Sequence, residues 1–260
     1  MPFVETDGER IAYVKEGTGP ALAFIHSLGT GLYLYRDQID ALKDRYTCIA
    51  YDTRGHGDST CNGGQWTVAK AAADLKAVLD ACGVKQAHIL GLSMGGPIAL
   101  AFYDKHPQMV RSMIIADSFA EQNIGGQDRI KGMETALGKT TMKDFGAWYA
   151  DDRLLKTTSR AAHDDLAAAI AKIDKAHYLA TVRSVFTDDL SPVLPKITVP
   201  TKVLIGDQDK STPMPMSEKI RDAVKGATLE VIPNAGHLAN LDNPAGFTTT
   251  VAKFLDAQPR

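Results

Sequence analysis

Gly91-Leu92-Ser93-Met94-Gly95 places a serine between two glycines, each two residues away. This Gly-x-Ser-x-Gly form is that of a turn that presents a nucleophile. A serine hydroxyl attacks well only if it projects clear of its scaffold toward a base. A sharp strand-to-helix turn achieves this, but it strains the serine backbone and crowds the neighbours two positions off. Glycine there removes the Cβ atoms that would collide. The spacing also arises by chance in glycine-rich chains, so its setting decides. His88-Ile89-Leu90 is a short apolar run suited to a buried parallel strand. Pro97-Ile98-Ala99-Leu100-Ala101-Phe102-Tyr103 reads as a buried helix that stops near His106-Pro107.

A nucleophilic serine needs a base, and an acid that orients the base. In open α/β sheets, functional groups collect at the carboxyl ends of strands. After Val203-Leu204-Ile205 comes Gly206-Asp207-Gln208-Asp209, with two carboxylates. After Leu229-Glu230-Val231-Ile232 comes Pro233-Asn234-Ala235-Gly236-His237. His237 is the candidate base, because the preceding glycine lets the loop turn the imidazole inward; a solvated loop histidine is the bland alternative. For the acid, Asp207, Asp209 and Asp117 compete. Gly206 closes its strand, so a residue three positions on has turned back over the sheet edge, which favours Asp209. Asp207 then caps the turn.

The remaining histidines have plainer readings. His88, His106, His163 and His177 lie within or beside predicted helices and strands, where core or solvated roles suffice. His56 shares a glycine-rich turn with Asp52 and Arg54. Two potential ligands without a third make a weak metal site, and turn stabilisation explains them better. No metal and no cofactor is expected.

The elements that must position these groups alternate along the chain. Ile11–Lys15 and Ala21–Ile25 read as strands, Leu34–Leu42 as a helix and Tyr46–Tyr51 as a strand. Val68, Ala72, Leu75, Leu79 and Cys82 mark one face of an amphipathic helix. Met113–Ala116 is the next strand. From 119 to 190 the sequence turns helical, with Ala161–Ile173 and Ala176–Phe186 the clearest segments, and Pro192 and Pro195 mark a linker. Alternation resumes with Thr201–Ile205, Pro215–Lys225, Thr228–Ile232 and Pro244–Leu255. The pattern predicts an open, mostly parallel sheet covered by helices, formed by 1–118 and 191–260, with a helical insertion over 119–190.

Composition excludes several classes of function. The chain has 260 residues, 44% of them hydrophobic, and a formal net charge of −2. No basic excess points to nucleic acid or an anionic membrane, and no apolar run is long enough to span a bilayer. Cys48, Cys61 and Cys82 are too widely spaced for a metal site and odd in number, so free thiols in a reducing, cytoplasmic setting are expected. The first residues lack a charged-then-apolar leader pattern.

Gly-Leu-Ser-Met-Gly-Gly at 91–96, Asp-Thr-Arg-Gly-His-Gly-Asp-Ser at 52–59, Gly-Asp-Gln-Asp at 206–209 and Gly-His-Leu at 236–238 together resemble the α/β-hydrolase superfamily. The order Ser, Asp, His is that of its triads. His26-Ser27-Leu28-Gly29-Thr30 is similar to the 3-oxoadipate enol-lactonase branch, although the superfamily commonly has His-Gly where this chain has His26-Ser27. The resemblance implies an eight-stranded, mostly parallel sheet, Asp209 as the acid, an oxyanion hole from the N–H groups of Leu28 and Met94, and His26 as a loop-holding residue. It also implies that 119–190 is a cap that selects the substrate, with Trp148 against it. The branch often sets an arginine beside a cap tryptophan to hold a carboxylate. Here Ala147 precedes Trp148, and neither Arg153 nor Arg183 can be oriented from sequence. A neutral, apolar or aromatic substrate is therefore expected.

The expected activity is hydrolysis of a small carboxylic ester or lactone through an acyl-enzyme. Carbon–carbon bond hydrolysis and cofactor-free perhydrolysis would use the same triad. A small-molecule receptor on the same fold is the reading from another class.

Overall fold

The computed structural model describes residues 1–62, 65–121 and 125–258. Residues 122–124, within the predicted insertion, and 259–260 at the end of the predicted core lie outside the described residues. In chain order the first half contains β1 (Phe3–Thr6), β2 (Glu9–Glu16), β3 (Ala21–Ile25), α1 (Arg36–Leu42), β4 (Thr47–Tyr51), α2 (Val68–Ala81), β5 (Ala87–Leu92), α3 (Gly95–Lys105) and β6 (Val110–Ala116). Four helices follow: α4 (Gly126–Gly138), α5 (Met142–Arg153), α6 (Arg160–Lys172) and α7 (Lys175–Val185). The chain then returns through β7 (Thr201–Gly206), α8 (Met214–Ala223), β8 (Thr228–Ile232), α9 (Ala239–Asp242) and α10 (Pro244–Asp256).

Eight strands form one sheet in the order β1-β2-β4-β3-β5-β6-β7-β8. The β1–β2 and β2–β4 pairs are antiparallel and the others parallel. Every residue of β3 and β5 is buried, which is why both read as continuous apolar runs: helices cover both faces. The cover comes from α1 packed against α10 and from α2 packed against α3.

Three sequence expectations change. The strand β1 was not predicted, although Asp7-Gly8 between Thr6 and Glu9 is a hairpin turn signal; both turn residues have positive φ, 49° and 75°. The helix predicted from Leu34 starts as a 3-10 turn over Leu32–Tyr35. The proline linker is likewise a 3-10 turn, Ser191–Lys196.

The helices between β6 and β7 are locally encoded at their starts. Thr141, Ser159 and Asp174 cap α5, α6 and α7 by accepting backbone N–H groups. Within this layer α5 packs on α6 and α4 on α7. Among the described residues no helix is long and apolar enough to cross a membrane.

Candidate active site

The turn between β5 and α3 holds Ser93 at φ 54°, in the left-handed region. A Cβ on Gly91 would lie 2.2 Å from the Gly95 carbonyl oxygen, and one on Gly95 would lie 2.2 Å from that of Ile25. Both positions thus admit only glycine, for the steric reason the motif suggests. The strand after the turn braces the serine: Ser93 N–H donates to Ala116 O at 2.9 Å, and Ser118 Oγ donates to Ser93 O at 2.6 Å.

His237 Nε2 stands 2.9 Å from Ser93 Oγ. Its Nδ1 is 3.0 and 3.2 Å from the two Asp209 oxygens. Neutral His237 therefore donates from Nδ1 to the carboxylate and accepts the serine proton at Nε2. Asp209 also accepts from Ser211 N–H (2.7 Å), Thr212 N–H (3.0 Å) and the Thr212 hydroxyl (2.6 Å). Burial alone would raise the Asp209 carboxyl, but the adjoining imidazole and these donors outweigh it and hold it well below the usual carboxylate range.

The structure separates the three candidate acids. Asp207 caps the base loop, accepting from Ala235 N–H at 3.0 Å. Asp117 is fully buried and accepts from Gly206 N–H at 2.7 Å, with no bond to His237. Only Asp209 of the three is hydrogen-bonded to the imidazole.

Leu28 and Met94 line the same small chamber as Ser93 and His237. Met94 stands at the start of α3, where backbone N–H groups lack helical partners and the dipole favours negative charge. His26 holds the loop that carries Leu28. Its Nδ1 donates to Ser27 O (2.7 Å) and its Nε2 accepts Thr53 N–H (3.0 Å). The turn at 52–59 is structural as well. Asp52 accepts from Leu32 and Asp58 N–H groups, and the buried Arg54 guanidinium grips Asp74 at 2.7 and 2.8 Å. His56 faces Thr53 Oγ1 at 3.1 Å. Among the described residues no three histidine, cysteine or acidic side chains are grouped to hold a metal. The other histidines stay apart from Ser93: His88 bonds Ser112, His163 lies by Asp151, and His177 by Asp174.

The chamber of about 20 Å³ around Ser93 shares His237, Arg129 and Arg153 with an open cleft of about 840 Å³. Trp148 lines that outer cleft and is 52% exposed, so it stands at the rim rather than beside Ser93. Arg153 turns inward. It lies over the Tyr149 ring, 4.7 Å from the centroid; its Nη1 pairs with Asp152, and its Nε is buried without a partner among the described residues. Arg129, on α4, lines the same chamber and donates to Ser211 O. Burial, with Arg153 nearby, lowers the Arg129 pKa. Arg183 instead pairs with Glu134 at 2.7 Å and is half-exposed.

A helical period carried an overlooked signal. Arg153 follows buried Phe145 and Tyr149 at four-residue steps, and Arg129 precedes Met133 by four, so each arginine shares its helix's inner face. Asp242, a tie of the base loop, gave no comparable signal.

Residues 20–244 match the model of the alpha/beta hydrolase fold. The chain is 28% identical, over 89% of its length and 87% of the relative's, to 3-oxoadipate enol-lactonase 2 of Acinetobacter baylyi. It is 29% identical to enol-lactonase 1 of the same organism, over 91% of this chain and 88% of the relative. A hydrolase from Pseudomonas aeruginosa superposes with a TM-score of 0.90 at 28% identity, covering 98% of each chain. The motifs quoted above, the fold and these similarities agree: the chain belongs to the α/β-hydrolase fold family.

Proposed function

We propose that the chain is a serine hydrolase of small carboxylic esters or lactones, acting through Ser93, His237 and Asp209. The observation that carries this reading is the 2.9 Å approach of His237 Nε2 to Ser93 Oγ, with Asp209 on the opposite ring nitrogen. Ser93 Oγ attacks the carbonyl carbon while its proton passes to His237 Nε2. The carbonyl π pair moves onto oxygen, facing the N–H groups of Leu28 and Met94. As the tetrahedral species collapses, the proton returns to the leaving alkoxide. Water then repeats the sequence on the acyl-enzyme and frees the acid. Asp209 stabilises the imidazolium throughout and fixes its tautomer.

The lining supports a narrower substrate class. Two guanidinium groups converge near Ser93, and the Nε of Arg153 has no protein acceptor among the described residues. Asp152 already pairs with Arg153 Nη1, and a carboxylate on the substrate would satisfy the remaining Nε donor. We therefore read the substrate as an anionic ester or lactone, with Trp148 at the rim against its distal part. The names of the Acinetobacter relatives support the lactone form.

The test is a hydrolysis screen of esters, lactones and β-diketones, with wild type beside Ser93→Ala. Turnover of an ester or lactone that falls at least about a thousandfold in folded Ser93→Ala supports the reading. Diketone cleavage alone, or tight binding without turnover, would replace it with the carbon–carbon hydrolase or the receptor.

A further inference from the structure

We propose that Asp117 is a positioning residue of the triad, its carboxyl fixing the end of β7, and with it the Asp209 loop, relative to Ser93. The inference rests on the serine-hydrolase reading and assigns a role to a buried acid which that mechanism does not use. The residues 116–118 form a junction. Ala116 O and Ser118 Oγ hold the backbone of Ser93 from its two sides, at 2.9 and 2.6 Å. Between them Asp117 donates its N–H to Leu204 O (2.9 Å) and accepts Gly206 N–H at Oδ1 (2.7 Å). Gly206 is the last residue of β7, three before Asp209. The other oxygen, Oδ2, is buried without a hydrogen-bond partner among the described residues. Asp117 thus bonds the end of β7 through both its side chain and its backbone, while its chain neighbours grip the nucleophile.

The backbone at Asp117 is itself set for this. Its φ is 45°, a left-handed conformation that aspartate and asparagine tolerate better than most residues. That kink turns the side chain back under the strand ends instead of continuing the strand. Burial and the neighbouring Asp209 and Asp242 carboxylates push the Asp117 acid well above its ordinary range; Gly206 and Ala239 N–H act the other way. The Gly206 contact needs only an acceptor oxygen, which an amide of the same shape also supplies.

The experiment compares Asp117→Gly with Asp117→Asn in the full chain, on whichever ester or lactone the wild type hydrolyses in a Ser93-dependent way. Glycine keeps the left-handed backbone at no strain but removes the acceptor. Asparagine keeps an acceptor of the same shape without a charge. Expected for Asp117→Gly is a fall of tenfold or more in kcat with KM within threefold, and an acidic limb of kcat/KM moved to lower pH as Asp209 loosens from the imidazole. Asp117→Asn should recover kcat to within about fivefold of wild type, with the wild-type pH profile. Asp117→Gly with wild-type kcat, or Asp117→Asn as damaging as Asp209→Asn, would overturn the proposal. If Asp117→Gly does not fold, Asp117→Asn decides: recovery with an unchanged profile supports positioning through an acceptor oxygen, and a shifted limb overturns it. Loss of the serine-hydrolase reading would be visible earlier, as wild-type turnover that survives Ser93→Ala.

Discussion

Asp242, five residues after the candidate base, accepts the backbone N–H of Leu155 at 3.0 Å, 87 positions away in sequence. The same oxygen, Oδ1, accepts the Thr158 hydroxyl, and Oδ2 accepts Gly236 N–H at 2.7 Å. The loop that carries His237 is therefore tied directly to the segment joining α5 and α6. Asp242→Ala should lower stability by about 2–3 kcal/mol, because it leaves donors to a charged acceptor unpaired, and should lower kcat by loosening His237. Thermal melting alongside steady-state kinetics checks this. A variant with wild-type melting and kcat would show that the tie carries neither.

Asp209→Asn should slow turnover by about a thousandfold or more, since an amide facing Nδ1 favours the wrong imidazole tautomer. Asp207→Asn should cost less than about tenfold, because Asp207 only caps the base loop. Parallel kcat/KM measurements on the two variants decide it. Equal losses would mean that the acid has been misassigned.

Matched substrates differing only in a distal carboxylate test the arginine pocket. The anionic member should have the higher kcat/KM. Arg153→Met should raise its KM about tenfold or more, the size of a charge-assisted hydrogen bond, with little change for the neutral member. Trp148→Ala should raise KM for a substrate long enough to reach the rim and spare a small acetate ester. A wild-type preference for the neutral member would reinstate the apolar substrate first expected from Ala147.

Stability should fall as the solution is acidified from about pH 6.5, the ordinary histidine value. Burial pushes His26 down to about 3, with His56 adding to it, and pushes His56 and His88 down to about 4. A depressed native value means the unfolded chain binds these protons first. The stability these neutral histidines contribute is full above about 6.5 and is lost as pH falls toward their native values. Asp52 opposes the trend, because burial raises it to about 6, and so does Asp117. Replacing one histidine isolates its share. His88→Gln should reduce the slope of unfolding free energy against pH by about 1.4 kcal/mol per unit between about pH 4 and 6.5. Urea titrations at several pH values measure it; an unchanged slope would mean that His88 titrates normally in the native state.

Features governed by local sterics and periodicity are legible in the residue order alone. Gly91 and Gly95 announce the turn at Ser93 because no other residue fits within 2.2 Å of a carbonyl oxygen. The apolar runs of β3, β5 and β7 announce buried parallel strands, and the period of α2 and α6 announces helices. The edge strand β1 escaped because only alternate residues are partly buried, leaving a faint pattern in four residues. Tertiary structure decided which carboxylate meets His237. Asp117, Asp207 and Asp209 all follow strand ends, and loop curvature alone brings Asp209 to Nδ1. It also decided the charge of the pocket. The roll of α5 is fixed where Gly146 lets the helix approach α6, with a Cβ there only 2.6 Å from Ala167 O. That roll sends Tyr149 and Arg153 inward and leaves Trp148 at the rim, a direction set by helix-on-helix contact and absent from the order of residues.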